Sequence, residues 1–134
     1  MKRRIVLPAF LLVLAVILSA CGGGSQTKLN ITMTDCKYDP VENTIAAGKE
    51  ITLTIKNEGA VLHEYVIMNL GQTAGETFGD EDEGNIYWEV EVDPGQSKTV
   101  TFTAPSEAGE YEIVCGTEGH LAAGMKGTLT VVAP

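Results

Sequence analysis

The chain has 134 residues, with nine Lys and Arg against 18 Asp and Glu and a formal net charge of −9 at neutral pH. So acidic a chain lacks the basic face that nucleic-acid binding needs, which leaves solubility or a basic docking partner as the uses of its charge. Behind its leader remain a little over one hundred residues, enough for one hydrophobic core and too few for two domains.

Met1-Lys2-Arg3-Arg4 is a basic start, Ile5 to Leu18 is apolar apart from Pro8, and small residues precede Cys21. This is the pattern of a secretory signal peptide over residues 1–20, too short for a comfortable membrane span. Leu18-Ser19-Ala20-Cys21 resembles the bacterial lipobox. That resemblance implies that Cys21 is lipidated (palmitate among its acyl chains) and becomes the first mature residue. Such a lipoprotein is exported and held on the outer face of the cytoplasmic membrane or in the periplasm, because several acyl chains anchor where one is marginal. Loss of Lys2, Arg3 and Arg4 with the leader leaves six basic against 18 acidic side chains, a mature charge of −12. Residues 21–28 combine this Cys with a glycine-rich polar stretch that reads as a flexible tether reaching about 15 Å.

From residue 29 to 134 the signals have a period of two. Leu29, Ile31 and Met33 alternate with polar residues, as do Ile51, Leu53 and Ile55, and later Leu129 and Val131. Val90 and Val92, Val100 and Phe102, and Tyr111 and Ile113 add three more half-buried strands. Pro40, Gly48, Asn57-Glu58-Gly59, Pro94-Gly95 and the stretch from Pro105 to Gly109 mark turns. Short antiparallel strands at this spacing predict an all-β sandwich. An acidic insertion around 71–89 interrupts the pattern. Gln72 to Phe78 has room for a turn of helix, and Tyr87 and Trp88 are suited to fasten the insertion to the sandwich. Asp80-Glu81-Asp82-Glu83 reads first as a solvated loop and second as a docking surface for a basic cytochrome or oxidase. Its spacing lacks the EF-hand pattern of a calcium site.

The densest chemistry lies in Cys115-Gly116-Thr117-Glu118-Gly119-His120-Leu121-Ala122-Ala123-Gly124-Met125, where a thiolate, an imidazole and a thioether follow one another at five-residue intervals. Two His and one Cys with a weak axial Met form the blue-copper electron-transfer arrangement. The second His is His63, which uses up both histidines of the chain. A single Cys with Met is a poor zinc set, since structural zinc draws four ligands from Cys and His. Strand alternation supports convergence. Cys115 shares parity with Tyr111 and Ile113, and His63 with Tyr65 and Ile67, so both ligands turn inward at one end of the sandwich.

His63, Cys115, His120 and Met125 resemble the ligand pattern of the cupredoxins, and within them of the azurin- and auracyanin-like small blue copper proteins. Gly48 with Ile51 to Ile55, then Asn57 and Gly59, are similar to the family's strand and loop leading to its first ligand. Pro94-Gly95, Gly109-Glu110-Tyr111 and Gly127 to Val132 are similar to its closing strands. The resemblance covers about Leu29 to Val132. It implies a Greek-key antiparallel β-sandwich holding one copper ion that cycles between Cu(I) and Cu(II). It also implies that Cys115, His63 and His120 are the strong ligands and Met125 the long axial one. Val61, Leu62, His120, Leu121 and Ala122 would form an apolar electron-transfer patch for transient redox partners, the protein itself being monomeric. Two positions depart from the family pattern. Glu64 stands where Asn commonly follows the first His, and Cys36 stands where an aromatic is common. With Cys21 and Cys115 occupied, Cys36 has no disulfide partner and is expected to fill a core position.

A copper enzyme would need further histidines for its other copper centres, and a binuclear oxidase centre a second Cys in the loop; neither exists. Copper delivery or storage can use the same residues but favours exposed, exchangeable ligands. A plain adhesion sandwich would function without metal.

Overall fold

The structure, a computed structural model, describes residues 25–134; the signal peptide, Cys21 and the start of the tether lie outside the described residues. Among the described residues nine strands follow in order: β1 Lys28–Thr34, β2 Lys37–Asp39, β3 Glu42–Ala46, β4 Glu50–Asn57, β5 His63–Met68, β6 Ile86–Val92, β7 Ser97–Thr103, β8 Gly109–Val114 and β9 Lys126–Val132. They form a four-stranded sheet in the order β2-β1-β4-β7 and a five-stranded sheet in the order β3-β9-β8-β5-β6.

The alternating residues meet between these sheets. Leu29, Ile31, Met33, Ile51, Leu53 and Ile55 of the first sheet and Ile45, Tyr65, Ile67, Tyr111, Ile113, Leu129 and Val131 of the second share one buried cluster. Each such apolar side chain contributes ~1.5–3 kcal/mol when removed from water. A smaller cluster of Val66, Met68, Ala74, Val114 and Leu121 lies on the other face of the second sheet. That face is therefore covered by the segment between β5 and β6 and by the loop after β8.

The sandwich is as expected, but its sheets are mixed rather than purely antiparallel. β1 runs parallel to β4, and β3 parallel to β9. The cause is a crossing the sequence pattern concealed: after β2 the chain lays β3 on the edge of the second sheet, then returns to the first as β4, beside β1 and in the same direction. β2 has only three residues, and β3, Glu-Asn-Thr-Ile-Ala, lacks alternation.

Two boundaries also move. The Gln26 N–H donates to the Thr44 carbonyl at 3.2 Å, and the Thr52 N–H to that of Thr27 at 2.9 Å. Backbone pairing thus reaches into the stretch expected as tether, although it has no apolar side chain to bury. The irregular part of the acidic insertion ends at Asn85, because Ile86 to Glu89 already belong to β6. No helix forms at Gln72 to Phe78: Ala74 is buried, and its N–H donates to Glu112 Oε2 at 2.9 Å. A 3-10 turn lies instead at Glu83–Asn85. Tyr87 and Trp88 fasten this region as expected, Tyr87 by donating to the Thr103 carbonyl at 2.8 Å and Trp88 by stacking on Phe102 with centroids 4.5 Å apart.

Candidate metal centre

β8 delivers Tyr111 and Ile113 to the core, and Cys115 follows on the same side, fully buried. The last β8–β9 pair is Val114 with Lys126, so Cys115 and Met125 face each other at the neck of the connecting loop. Backbone bonds close that neck: the Cys115 N–H donates to the Met125 carbonyl at 3.2 Å, and the Met125 N–H to that of His120 at 2.9 Å. The loop is folded by its own turns, His120 N–H to Thr117 O at 3.0 Å and Ala123 N–H to Gly119 O at 3.0 Å. Met125 is fully buried. His63, equally buried, opens β5, the strand beside β8.

These elements bring Nδ1 of His63 to 3.0 Å from Nδ1 of His120. The Cys115 sulfur lies 3.5 Å from Nδ1 of His120 and 4.0 Å from Nδ1 of His63. A point equidistant from three atoms so spaced is about 2.1 Å from each, within the ~2.0–2.3 Å range of imidazole and thiolate bonds to a zinc-sized ion. The donor set therefore fits a metal. Two imidazoles, a thiolate and a thioether in its shell fit copper better than a harder ion. Burial, and secondly the facing His120, hold His63 below the usual histidine range, which keeps its imidazole neutral and able to bind.

Around the donors the structure supplies supports that the motif did not reveal. The Glu64 N–H points at the Cys115 sulfur at 3.4 Å, a backbone contact that the replacement of Asn by Glu leaves in place. The Tyr38 hydroxyl donates to the Glu64 carbonyl at 2.5 Å. Burial first, then Glu91, Glu89 and Glu83, raise the Glu64 carboxyl above its usual range, against the Gly116 N–H, which lowers it. A Cβ on Gly116 would overlap that carboxylate, so a larger residue there would push the Glu64 side chain aside. Thr117 Oγ1 donates to the Leu62 carbonyl at 2.9 Å, tying the ligand loop to the approach to β5.

Asn57, fully buried, organises that approach: its amide donates to the Val61 and Val92 carbonyls, each at 2.8 Å, and its Oδ1 accepts from the Gly59 N–H at 2.8 Å. On the far side of His63, Nε2 lies 3.3 Å from Asp35 Oδ1. Asn57 was visible in the sequence as a turn residue. Asp35 and Tyr38 were not, because they approach the site from the β1–β2 turn and from β2; Thr117 lies within the ligand loop, but its bond to Leu62 is a tertiary contact that spacing does not reveal.

Three expectations need correction. Leu121 does not join the surface patch; it packs into the smaller cluster and is 7% exposed. The exposed edge instead comprises Val61 and Ala122 with half-buried Leu62 and His120. Asp82 is buried, its Oδ2 accepting from the Gly79 N–H at 2.9 Å, and only Asp80, Glu81 and Glu83 of that run face solvent. Cys36 is half-buried rather than sealed in the core, since it occupies the β1–β2 turn with a φ of 61°.

The protein-family model described as "Cupredoxin-like domain" matches residues 7–131. Auracyanin-A of Chloroflexus aurantiacus is 29% identical, with 96% of each chain covered. Its solved structure, titled a "blue" copper protein, superposes with a TM-score of 0.61 at 27% identity, over 78% of this chain and 99% of that one. The dithionite-reduced auracyanin of Roseiflexus castenholzii superposes with a TM-score of 0.67 at 33% identity, over 81% of this chain and 99% of that one. The copper-resistant cuproprotein CopI of Pseudomonas aeruginosa is 27% identical, over 98% of this chain and 99% of that one.

Proposed function

The chain belongs to the cupredoxin family, and on that premise we propose that it is an exported carrier of single electrons rather than an enzyme. His63, Cys115, His120 and Met125 would hold one copper ion. The observation that carries the reading is the convergence of three donors of the right chemistry, separated by 3.0–4.0 Å, at one end of the sandwich. Copper bound there supplies the Cu(I)/Cu(II) couple.

The protein's own contribution is to hold the donors still. Cys115 and His63 are fixed by adjacent strands, and the Glu64 N–H steadies the thiolate. A site whose ligands keep their places rearranges little when an electron arrives or leaves. His120 is the half-buried ligand at the exposed edge. His120, with Val61, Leu62 and Ala122, would present the contact surface for a docking redox partner. Redox encounters of this kind use small interfaces. Asp80, Glu81 and Glu83 add attraction for a basic cytochrome or oxidase.

The leader and Cys21 support a lipid-anchored, extracytoplasmic protein. Among the described residues no helix is long and apolar enough to cross a membrane. The test is incorporation of labelled palmitate, lost in Cys21→Ala.

Similarity to a copper-resistance protein favours a second reading, copper handling. Burial of His63, Cys115 and Met125 argues against ready exchange. Repeated cycles of reductant and oxidant, followed by challenge with a copper chelator, separate the two. A carrier takes up one electron per copper and keeps its metal through the challenge. Stoichiometric loss of copper to the chelator within one cycle would establish handling instead.

A further inference from the structure

His63 uses Nδ1 toward the other donors and turns Nε2 away from them. That Nε2 is buried and has no hydrogen-bond partner, although a neutral ring whose Nδ1 is a ligand must carry its proton there. The polar atom facing it is Asp35 Oδ1 at 3.3 Å, from the turn between β1 and β2. This carboxylate is aimed rather than adrift, because Oδ1 also accepts from the Ala60 N–H at 3.0 Å. Gly59 keeps the line between them clear: a Cβ there would overlap both His63 Nε2 and Asp35 Oδ1. The Gly59 N–H is in turn held by Asn57 Oδ1.

Given the copper reading, on which this rests, we infer that Asp35 is a positioning residue that acts through His63, fixing its tautomer and making its Nδ1 a stronger donor to Cu(II). A carboxylate behind a ligating imidazole orients the ring and raises its basicity, and loss of such a partner costs ~10–100-fold in metal affinity. The more basic imidazole favours the more highly charged ion, so Asp35 lowers the midpoint potential. The carboxylate is 61% exposed at its side chain, so added salt weakens this influence without abolishing it.

The test compares Asp35→Asn and Asp35→Ala in the copper-loaded full chain with Glu58→Gln, which removes the same charge from an exposed acid paired with Lys56. Both Asp35 variants are expected to weaken Cu(II) binding about tenfold more than Cu(I) binding, which raises the midpoint potential by ~59 mV. Glu58→Gln should move it by less than a third of that. Asp35 variants that match Glu58→Gln, or lower the potential, overturn the inference.

A second measurement needs no variant. In the metal-free wild-type chain, nitrogen-15 NMR should show the His63 ring protonated at Nε2, with a slowly exchanging proton shifted downfield. A His63 ring protonated at Nδ1, or an Nε2 proton exchanging as fast as an exposed one, also overturns it. If the wild type takes up copper without a thiolate-to-copper band, the copper reading fails while the NMR result still decides the pairing of Asp35 with His63.

Discussion

Replacing Asn57 with Ala should destabilise the domain far more than the loss of one small polar side chain suggests. Asn57 is fully buried and makes three side-chain hydrogen bonds that bridge β4, the approach to β5 and the end of β6. The variant leaves the Val92 carbonyl without that partner in a buried place, at ~1–3 kcal/mol, and removes two partly buried bonds worth ~0.5–1.5 kcal/mol each. The expected loss is about 2–6 kcal/mol, a large share of the ~5–15 kcal/mol by which such domains are stable. Urea denaturation of the metal-free protein, followed by circular dichroism, measures it directly. Because Asn57 also holds Gly59, the variant should bind copper more weakly, and copper should restore less stability than in the wild type. A loss under 1 kcal/mol with unchanged copper affinity would refute the view that this amide organises the approach to His63.

Trp88→Ala removes a half-buried ring stacked across the two sheets on Phe102 and should cost about 2–3 kcal/mol, below the ~3–5 kcal/mol of a fully buried aromatic; thermal melts check this. Met125→Leu keeps the volume at the neck of the loop, so stability should change by less than ~1.5 kcal/mol. Copper should stay bound while voltammetry shows a higher potential, because the thioether donor is gone. Burial, then Glu83 and Glu91, raise the carboxyl of Glu89. A folded state that binds this proton more readily than the unfolded chain loses stability as pH rises through the raised value. Glu89→Gln should therefore melt at a higher temperature than the wild type at pH 7 and at nearly the same temperature at pH 4.

The strands with clean alternation, β1, β4 and β9, were legible because one face of each is sealed by the core. The four donors were legible because soft ligands at regular spacing have few other uses. β2 and β3 escaped notice because a three-residue strand and an edge strand carry no periodic signal, and with them went the crossing that makes the sheets mixed. Leu121 was placed on the surface because it follows His120 in the sequence. Its actual partners, Val66, Met68 and Ala74, come from β5 and the segment after it. Asp35 was invisible for a similar reason: it lies 28 residues before His63, in a turn where an acidic residue is ordinary. Supports of this kind are made by tertiary contact, which local spacing does not encode.

The central claim is most directly tested by the visible spectrum of the chain loaded with Cu(II), recorded beside Cys115→Ser. The account predicts an intense thiolate-to-copper band at one copper per chain, bleached by a mild reductant, restored by an oxidant and absent from the variant. A wild-type protein that binds copper without colour, or a Cys115→Ser protein that remains intensely blue, would contradict it.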